Sequence, residues 1–495
     1  MSKASPASFL SRALRAALLV AVFLSCAFPV VLGVKAFIAR AASEGASASA
    51  LMSVTQGIAL FGGVVLLWHV VLYARYRHVA SVRDEELPEL TVIVPAYNEG
   101  KQVLKTLRSL QASDYPREKL HIVAVDDGSR DDTWSWIERG AREAPDRILA
   151  LRCLENRGKR AALYEGMARA RGEVIVTVDS DSEVLADTLR NLVSPIVRDA
   201  KVGAVAGNVR VLNREAGLLP RMLDVSFTFS FQFVRAAQSE VDTVMCCPGA
   251  LTAYRRSVVD EVKDEWLAQT FFGKPSTIGE DRAMTNLILR KGFTSKFQAN
   301  AVVRTEVPVN TTQLARMYLR WARSDVRETF VLSRFILKRF RSGSSWGARL
   351  IFSWSALRWM LTPVAAAWAI TGLAAEPGVL AAVLGGVLAS AIMPATLFAH
   401  SRSMQGSFWA FPYAVYAFFL LWWIRPYALF TPHKSKWLTR DLPAAPAPVA
   451  LRIERPTAHV RPAAGAAAML ARVRDSAHGF RAEPARAVTA SRAAS

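Results

Sequence analysis

Between residues 85 and 310 the chain alternates short apolar runs with segments of helical period. Thr91-Val-Ile-Val is followed by Pro95-Ala-Tyr97-Asn98-Glu99 and then by Leu104, Leu107 and Leu110, which predicts a strand, a turn and a helix. His121-Ile-Val-Ala-Val predicts a second strand, ending in Asp126-Asp127-Gly128-Ser129, and Asn156-Arg157-Gly158-Lys159-Arg160 opens a further helix. That helix leads into Val174-Ile-Val-Thr-Val, a run long enough for a buried strand, with Asp179-Ser180-Asp181 at its carboxyl end. Val202 to Arg210 continues the sheet. Strands and helices alternating at this length predict a parallel α/β sheet whose acid-bearing tips gather on one edge, where ligands of open α/β sheets bind. The stretch from Leu218 to Ser239 is ambiguous. Phe227, Phe229, Phe231 and Phe233 have the period of a strand, whereas Arg221-Met-Leu and Val234-Arg-Ala-Ala fit a helix.

Outside this region the apolar runs are longer. Ala13 to Ala36 is almost continuously apolar and preceded by Lys3, Arg12 and Arg15. It exceeds the ~7–15 residue core of a secretion signal and reads as a membrane span, although Leu24-Ser25-Cys26 leaves the signal as an alternative. Leu51 to Tyr73 has the roughly 20 residues needed to cross a bilayer and ends at Arg75, Tyr76, Arg77 and His78. Basic residues before the first run and after the second put the N-terminus and the α/β domain on the cytoplasmic side. Farther on, Phe330, Phe335 and Phe340 alternate with Arg334, Lys338, Arg339 and Arg341, which predicts a basic amphipathic helix in the membrane interface.

Leu350 to His400 reads as two further spans joined at Glu376-Pro377-Gly378. Phe408 to Phe430 is also long enough, but Pro412, Arg425 and Pro426 interrupt it and basic residues lie on both sides. An interfacial or re-entrant segment is predicted there, not a fifth crossing. The domains are therefore an N-terminal membrane region, 1–84, with spans at 13–36 and 51–73; an α/β domain, 85–310; interfacial helices, 311–345; a second membrane region, 346–440; and a disordered basic tail, 441–495.

Composition agrees with that division. A 495-residue chain that is 52% hydrophobic is too apolar for an ordinary soluble domain. The formal net charge of +21 does not point to nucleic acid, since no compact basic motif with interleaved aromatics accompanies it. Positive residues flank the apolar runs and fill the tail, which suits anionic membrane lipid. The four cysteines, Cys26, Cys153, Cys246 and Cys247, show no zinc-ligand spacing and read as reduced thiols.

Pro95-Ala-Tyr-Asn-Glu, Asp126-Asp-Gly-Ser, Asn156-Arg-Gly-Lys-Arg and Asp179-Ser-Asp follow one another within about 90 residues. Together they resemble the nucleotide-sugar half of the inverting family 2 glycosyltransferases. Gly279-Glu280-Asp281-Arg282, Arg320-Trp321 and Trp437-Leu-Thr439-Arg440 are similar to motifs of that family's membrane-embedded synthases, of the hyaluronan and chitooligosaccharide type. The resemblance implies a GT-A (Rossmann-like) α/β catalytic domain inserted between α-helical transmembrane segments of the inner membrane. It further implies a UDP-sugar donor such as UDP-GlcNAc and a growing β-linked polysaccharide that is elongated and passed across the membrane. The alternative is a non-processive enzyme that adds one sugar to a lipid-linked acceptor.

The same resemblance assigns residues. Pro95, Tyr97, Glu99, Asp126, Asp127, Lys159, Arg160, Asp179, Ser180, Asp181 and Arg440 would bind the nucleotide sugar, with Mg²⁺ or Mn²⁺ held by Asp179 and Asp181 on the diphosphate. Asp281, beside Glu280, would be the base that takes the acceptor proton. Arg320 would add positive charge at the departing diphosphate, and Trp321 would stack beneath the acceptor sugar. Gly249 would let the acceptor approach closely, or else simply form a tight turn before a strand. On chemistry alone, a solvated turn remains open for the Asp179 pair, as does a helix N-terminal acid for Asp281. One departure stands out: the family's Gln-x-x-Arg-Trp has Met317 at its first position, and a thioether cannot donate the amide's hydrogen bonds. Gln313, one turn earlier, is the candidate substitute.

Overall fold

The computed structural model describes residues 48–375, 379–434 and 453–454. The run at 13–36, Cys26, the Trp437–Arg440 motif and the tail apart from 453–454 lie outside the described residues.

Helix α1 (Ala48–Arg75) leads into the α/β domain. The first strand–helix units are β1 (Leu90–Ala96), α2 (Gln102–Gln111), β2 (Leu120–Asp126), α3 (Thr133–Glu143), β3 (Ile148–Cys153), α4 (Lys159–Met167) and β4 (Val174–Val178). β1 pairs in parallel with β2 on one side and β4 on the other, and β2 pairs in parallel with β3. Every residue of β1 and β4 is buried. Their sequences are continuously apolar because helices cover both faces of the sheet: Val92, Val94 and Val176 pack with Leu107 and Leu110 of α2, whereas Ile93 and Ile175 pack with Leu163 and Met167 of α4.

The second half follows as β5 (Ser182–Val184), α5 (Thr188–Arg198), β6 (Val202–Val211), α6 (Leu218–Phe227), α7 (Arg235–Ser239), β7 (Leu251–Arg255), α8 (Arg256–Leu267), a β8–β9 hairpin (Thr270–Phe271, Lys274–Pro275), α9 (Glu280–Arg290) and β10 (Thr294–Thr305). With β11 (Ile453–Glu454), the nine-stranded sheet has the order β11-β3-β2-β1-β4-β7-β6-β10-β5. It is mixed where the pattern predicted a parallel sheet: β7 runs antiparallel to both β4 and β6, and β5 antiparallel to β10. The chain leaves β6 and re-enters β7 at the same edge, so β7 must run backwards. Its first residue, Leu251, pairs with Val178, the last residue of β4. The turn before β7 is thereby set against the acidic tip of β4.

The ambiguous phenylalanine segment is helical. A π-helical stretch, Thr228–Val234, joins α6 to α7. Phe227 and Phe231 turn to one side, toward Trp321 at 6.1 and 6.4 Å. Phe229 and Phe233 turn to the other, toward Tyr73 of α1 and Met393. Apolar surface on two sides of one helix produces the spacing of two that a strand would also show.

The last helices are α10 (Thr311–Ile336), α11 (Trp346–Ala375), α12 (Val379–Ser401), α13 (Met404–Ser407), α14 (Ala410–Leu421) and α15 (Ile424–Phe430). Leu332, Phe335 and Ile336, on the stretch expected in the membrane interface, pack against Leu289, Ile351 and Phe352. Arg341 turns inward, bonding Asp242 O and Thr243 Oγ1 at 2.9 Å each. Among the described residues one stretch, Val383–Ser401, is long and apolar enough to cross a membrane. A second qualifies if Met404–Leu421 and Ile424–Phe430, bent by 43°, count as one span.

Candidate functional site

The site is built from strand tips. At the end of β2, the Asp127 carboxylate accepts the N–H groups of Arg157 at 3.0 Å and Gly158 at 2.8 Å. Burial, with the neighbouring charge of Asp126, pushes Asp127 up to about 7 although those N–H groups pull the other way. Gly158 caps α4 with φ +91°, which is why glycine stands there: no neighbour lies within 4 Å of a would-be Cβ, and the constraint is the backbone. Asp126 is fully buried, accepts Ser129 N–H at 3.0 Å and lies 3.7 Å from Arg152, outside the cavity lining.

Lys159, the first residue of α4, reaches the tip of β4. Its Nζ lies 2.5 Å from Asp179 Oδ1 and 3.1 Å from Glu280 Oε1. Burial opposes the ammonium charge, but these two carboxylates more than offset it and raise its proton affinity. Gly249, just before β7, faces this group: a Cβ there would stand 2.8 Å from Lys159 Nζ and 3.7 Å from Asp179 Oδ1. Asp181 accepts the hydroxyls of Ser182 and Thr305 at 3.2 Å each.

Two cavities adjoin at this point. A cleft of about 610 Å³ is lined by Pro95, Tyr97, Glu99, Asp127, Asn156 and Ser180. A larger one of about 1110 Å³ is lined by Phe227, Phe231, Trp321, Arg235, Gly249 and Asp281. Lys159, Asp179, Asp181 and Arg320 line both.

Glu280 and Asp281 begin α9 at the inner wall. Asp281 Oδ2 accepts Gly249 N–H at 3.3 Å and lies 3.6 Å from Cys246 Sγ, while Oδ1 accepts Arg282 N–H at 2.7 Å. The two neighbours diverge in proton affinity. Burial and then the Glu280 charge raise Asp281 above the usual carboxylate range. Burial acts on Glu280 too, but Lys159, Arg320 and Arg160 outweigh it and hold Glu280 below that range. A pair of carboxylates driven apart in this way separates a proton acceptor from a permanent anion.

Trp321, 39% exposed, packs on Tyr318 at 5.6 Å and on the Phe227–Phe231 face. Met317 lines the same cavity, so its wall is apolar where an amide was expected; Gln313 is exposed at the start of α10 and does not line it. Arg160 also turns away: its Nη1 bonds Trp266 O at 2.6 Å and Gln269 Oε1 at 3.0 Å. Arg440 lies outside the described residues. The sequence reading missed Asn156, Arg235, Cys246, Thr305, Glu306 and Asp325 as lining residues. Thr305-Glu306 was findable, because it too is a polar–acidic pair at the carboxyl end of an apolar run.

For a divalent cation, Asp179 and Asp181 line one cavity wall together, but no group of three or more His, Cys, Asp or Glu residues able to hold a metal occurs among the described residues. Two carboxylates completed by diphosphate oxygens and water are a donor set that Mg²⁺ accepts, so the residues fit an ion carried in with its phosphates.

The Gly249 contact is testable. In Gly249→Ala the new methyl must displace the end of the Lys159 side chain, which is flexible, so the fold should survive while Lys159 leaves Asp179. Transfer should fall about 10²-fold, the cost of a displacement near 1 Å at a reacting centre. Unchanged turnover in a folded variant would show that the close approach has no role.

Residues 88–324 match the family described as glycosyltransferase like family 2. The chain is 38% identical over 267 residues to an N-acetylglucosaminyltransferase of Rhizobium meliloti, covering 53% of this chain and 62% of that protein, less than two thirds of its length. It is 33% identical over 384 residues to an N-acetylglucosaminyltransferase of Neorhizobium galegae, covering 74% of this chain and 85% of that one. Its fold is similar to that of a mannosyltransferase from Pyrobaculum calidifontis solved with GDP-Man and Mn²⁺: TM-score 0.50, 24% identity, 73% of this chain and 98% of that one. At that identity the likeness concerns the fold, a GT-A-like mixed sheet with helices.

Proposed function

Because the chain belongs to glycosyltransferase family 2, we propose that it is an inverting transferase that moves N-acetylglucosamine from UDP-GlcNAc to a growing β-linked glycan at the cytoplasmic face of a membrane. The observation that carries this reading is the seam at which Lys159, Asp179, Asp181 and Arg320 line both cavities. Transfer requires a diphosphate between nucleoside and sugar, and a seam of two cations and two acids between two clefts suits that group. The nucleoside lies in the first cleft, with Asp127 accepting from the base. The acceptor lies in the second, on Trp321 and the Phe227–Phe231 face, where aromatic surface supports a sugar ring.

In the reaction the acceptor hydroxyl attacks the anomeric carbon from the side opposite the phosphate. The new C–O bond forms as the bond to the diphosphate breaks, inverting the centre. Asp281 takes the hydroxyl proton, and Lys159 and Arg320 offset the charge that develops on UDP. A divalent ion bound at Asp179 and Asp181 would supply further positive charge to the diphosphate. Glu280 holds Lys159 in place.

The membrane placement rests on the apolar stretch Val383–Ser401 and on the apolar runs of the sequence. The 43° bend between Met404–Leu421 and Ile424–Phe430 is that of a broken span or a re-entrant segment, and the bond of Tyr413 to Tyr318 of α10 at 2.9 Å, next to Arg320 and Trp321, supports the re-entrant reading.

Purified full chain in detergent, incubated with single radiolabelled UDP-sugars and its product sized, tests the reading. Transfer from UDP-GlcNAc alone into a ladder of lengths is expected. A single addition to a lipid-linked acceptor would replace the polymerase by a one-step transferase, and no transfer from any UDP-sugar would overturn both.

A further inference from the structure

Beside the second cavity, where Val209 and Thr305 line its wall, the carboxyl ends of β6 and β10 carry a cluster of arginines completed from the end of α12. Arg210 and Arg304 are direct partners in the parallel β6/β10 ladder. Two like charges side by side on one sheet face destabilise a strand pair unless a negative group offsets them. Arg402, the residue after α12, and Arg214, ahead of α6, complete the cluster. Both reach Asp224, Arg402 Nη2 at 3.1 Å and Arg214 Nε at 3.4 Å, and Asp224 is 1% exposed.

Arginines outnumber the acids paired with them. Asp224 is already shared by Arg214 and Arg402, and Glu183 is the partner of Arg304 across β5, on the side away from Arg210. Burial, with the fields of Arg402 and Arg304, pushes Arg210 down to about 10, and its Nε is buried without a hydrogen-bond partner. A half-buried guanidinium with an unpartnered donor, set among three further arginines, forms a site for an anion with several oxygens. Its position narrows the choice, because Arg402 directly follows Val383–Ser401, the stretch long and apolar enough to cross a membrane. At that depth the commonest polyoxygen anion is a phospholipid phosphate.

We propose that Arg210, Arg304 and Arg402 form a phosphate-binding site, filled by the headgroup of an anionic phospholipid where α12 meets the membrane surface. The lipid would supply the negative charge that the β6/β10 pair lacks and would tie the transferase domain to the bilayer next to Thr305 and Glu306 of the second cavity.

The test is thermal unfolding of the full chain in neutral detergent, titrated separately with short-chain phosphatidylglycerol, short-chain phosphatidylcholine and inorganic phosphate. Phosphatidylglycerol should raise the midpoint at concentrations about tenfold or more below those at which the other two act. The double variant R210Q/R304Q should lose at least about tenfold in that apparent affinity, the effect of removing one or two charge-assisted hydrogen bonds. Retained UDP binding will show that the variant is folded; if the double variant does not fold, R304Q alone, on an exposed side chain, serves the same comparison. Equal action of inorganic phosphate would overturn the lipid assignment in favour of a soluble phosphate. Equal action of phosphatidylcholine, or an undiminished response in folded variants, would overturn the site.

Discussion

Replacing Asp281 by asparagine should lower transfer by roughly 10²-fold or more while UDP still binds, because the amide keeps the shape but cannot accept the acceptor's proton. The choice of Asp281 over Glu280 follows from their surroundings. Glu280 lies 3.1 Å from Lys159 and is held below the ordinary carboxylate range, so it is a weak base. Burial and the Glu280 charge raise Asp281, so it binds a proton more readily. The sign for pH dependence follows directly. A base with raised affinity is protonated, and so inactive, at higher pH than an ordinary aspartate, and the acidic limb of kcat/KM should lie above the model-peptide range near ~4. In Asp281→Asn that limb should vanish from the residual rate. Full turnover by Asp281→Asn would move the search for the base to Glu280.

Removal of divalent metal should abolish turnover, and Mg²⁺ or Mn²⁺ should restore it. Among the described residues, Asp179 and Asp181 share the seam with two cationic side chains, Lys159 and Arg320, and a UDP-sugar would bring a diphosphate into it. Without a bound ion, two acids and two phosphate groups would crowd one small region, and the charge growing on the leaving group would be only partly offset. A fall of about 10²-fold or more is expected from losing a charge that contributes several kcal/mol to the transition state. Calorimetry supplies a second readout: UDP affinity should fall in EDTA, and Asp181→Asn should lower it when metal is present but change it little when metal is absent. Full activity after rigorous chelation would remove the metal from the mechanism and leave the diphosphate to side chains such as Lys159 and Arg320.

Much of the first cleft was legible in the sequence. A continuous apolar run that ends in acids has few ways to fold other than as a buried strand with a polar tip, and the tips of β2 and β4 are where the pattern put them. Pro95, Tyr97, Glu99, Asp127, Lys159 and Asp179 line one cleft because each ends, follows or opens an element whose direction the local pattern determines. The second cavity was less legible, since its walls come from α6, α9, α10 and the turn before β7, which are far apart in the chain. Spacing carries no signal for such a meeting. Arg160 illustrates the limit: it adjoins Lys159 in sequence, but one helical step of about 100° turns it away from the cleft, onto Trp266 at 5.1 Å.

By itself, then, the sequence determined the alternating strands and helices, the acids at their tips and the apolar runs beyond them, because hydrophobic period and turn chemistry are local properties. Only the tertiary structure decided that β7 runs backwards, that Gly249 meets Lys159, and that Glu280 and Asp281 diverge in proton affinity. Strand direction depends on the edge at which the chain re-enters the sheet, and proton affinity depends on burial and on charges that other elements bring within a few ångströms. The phenylalanine segment turns on the same distinction: its period of two fits a strand or a doubly covered helix, and the surfaces supplied by Trp321 on one side and Tyr73 on the other made it a helix.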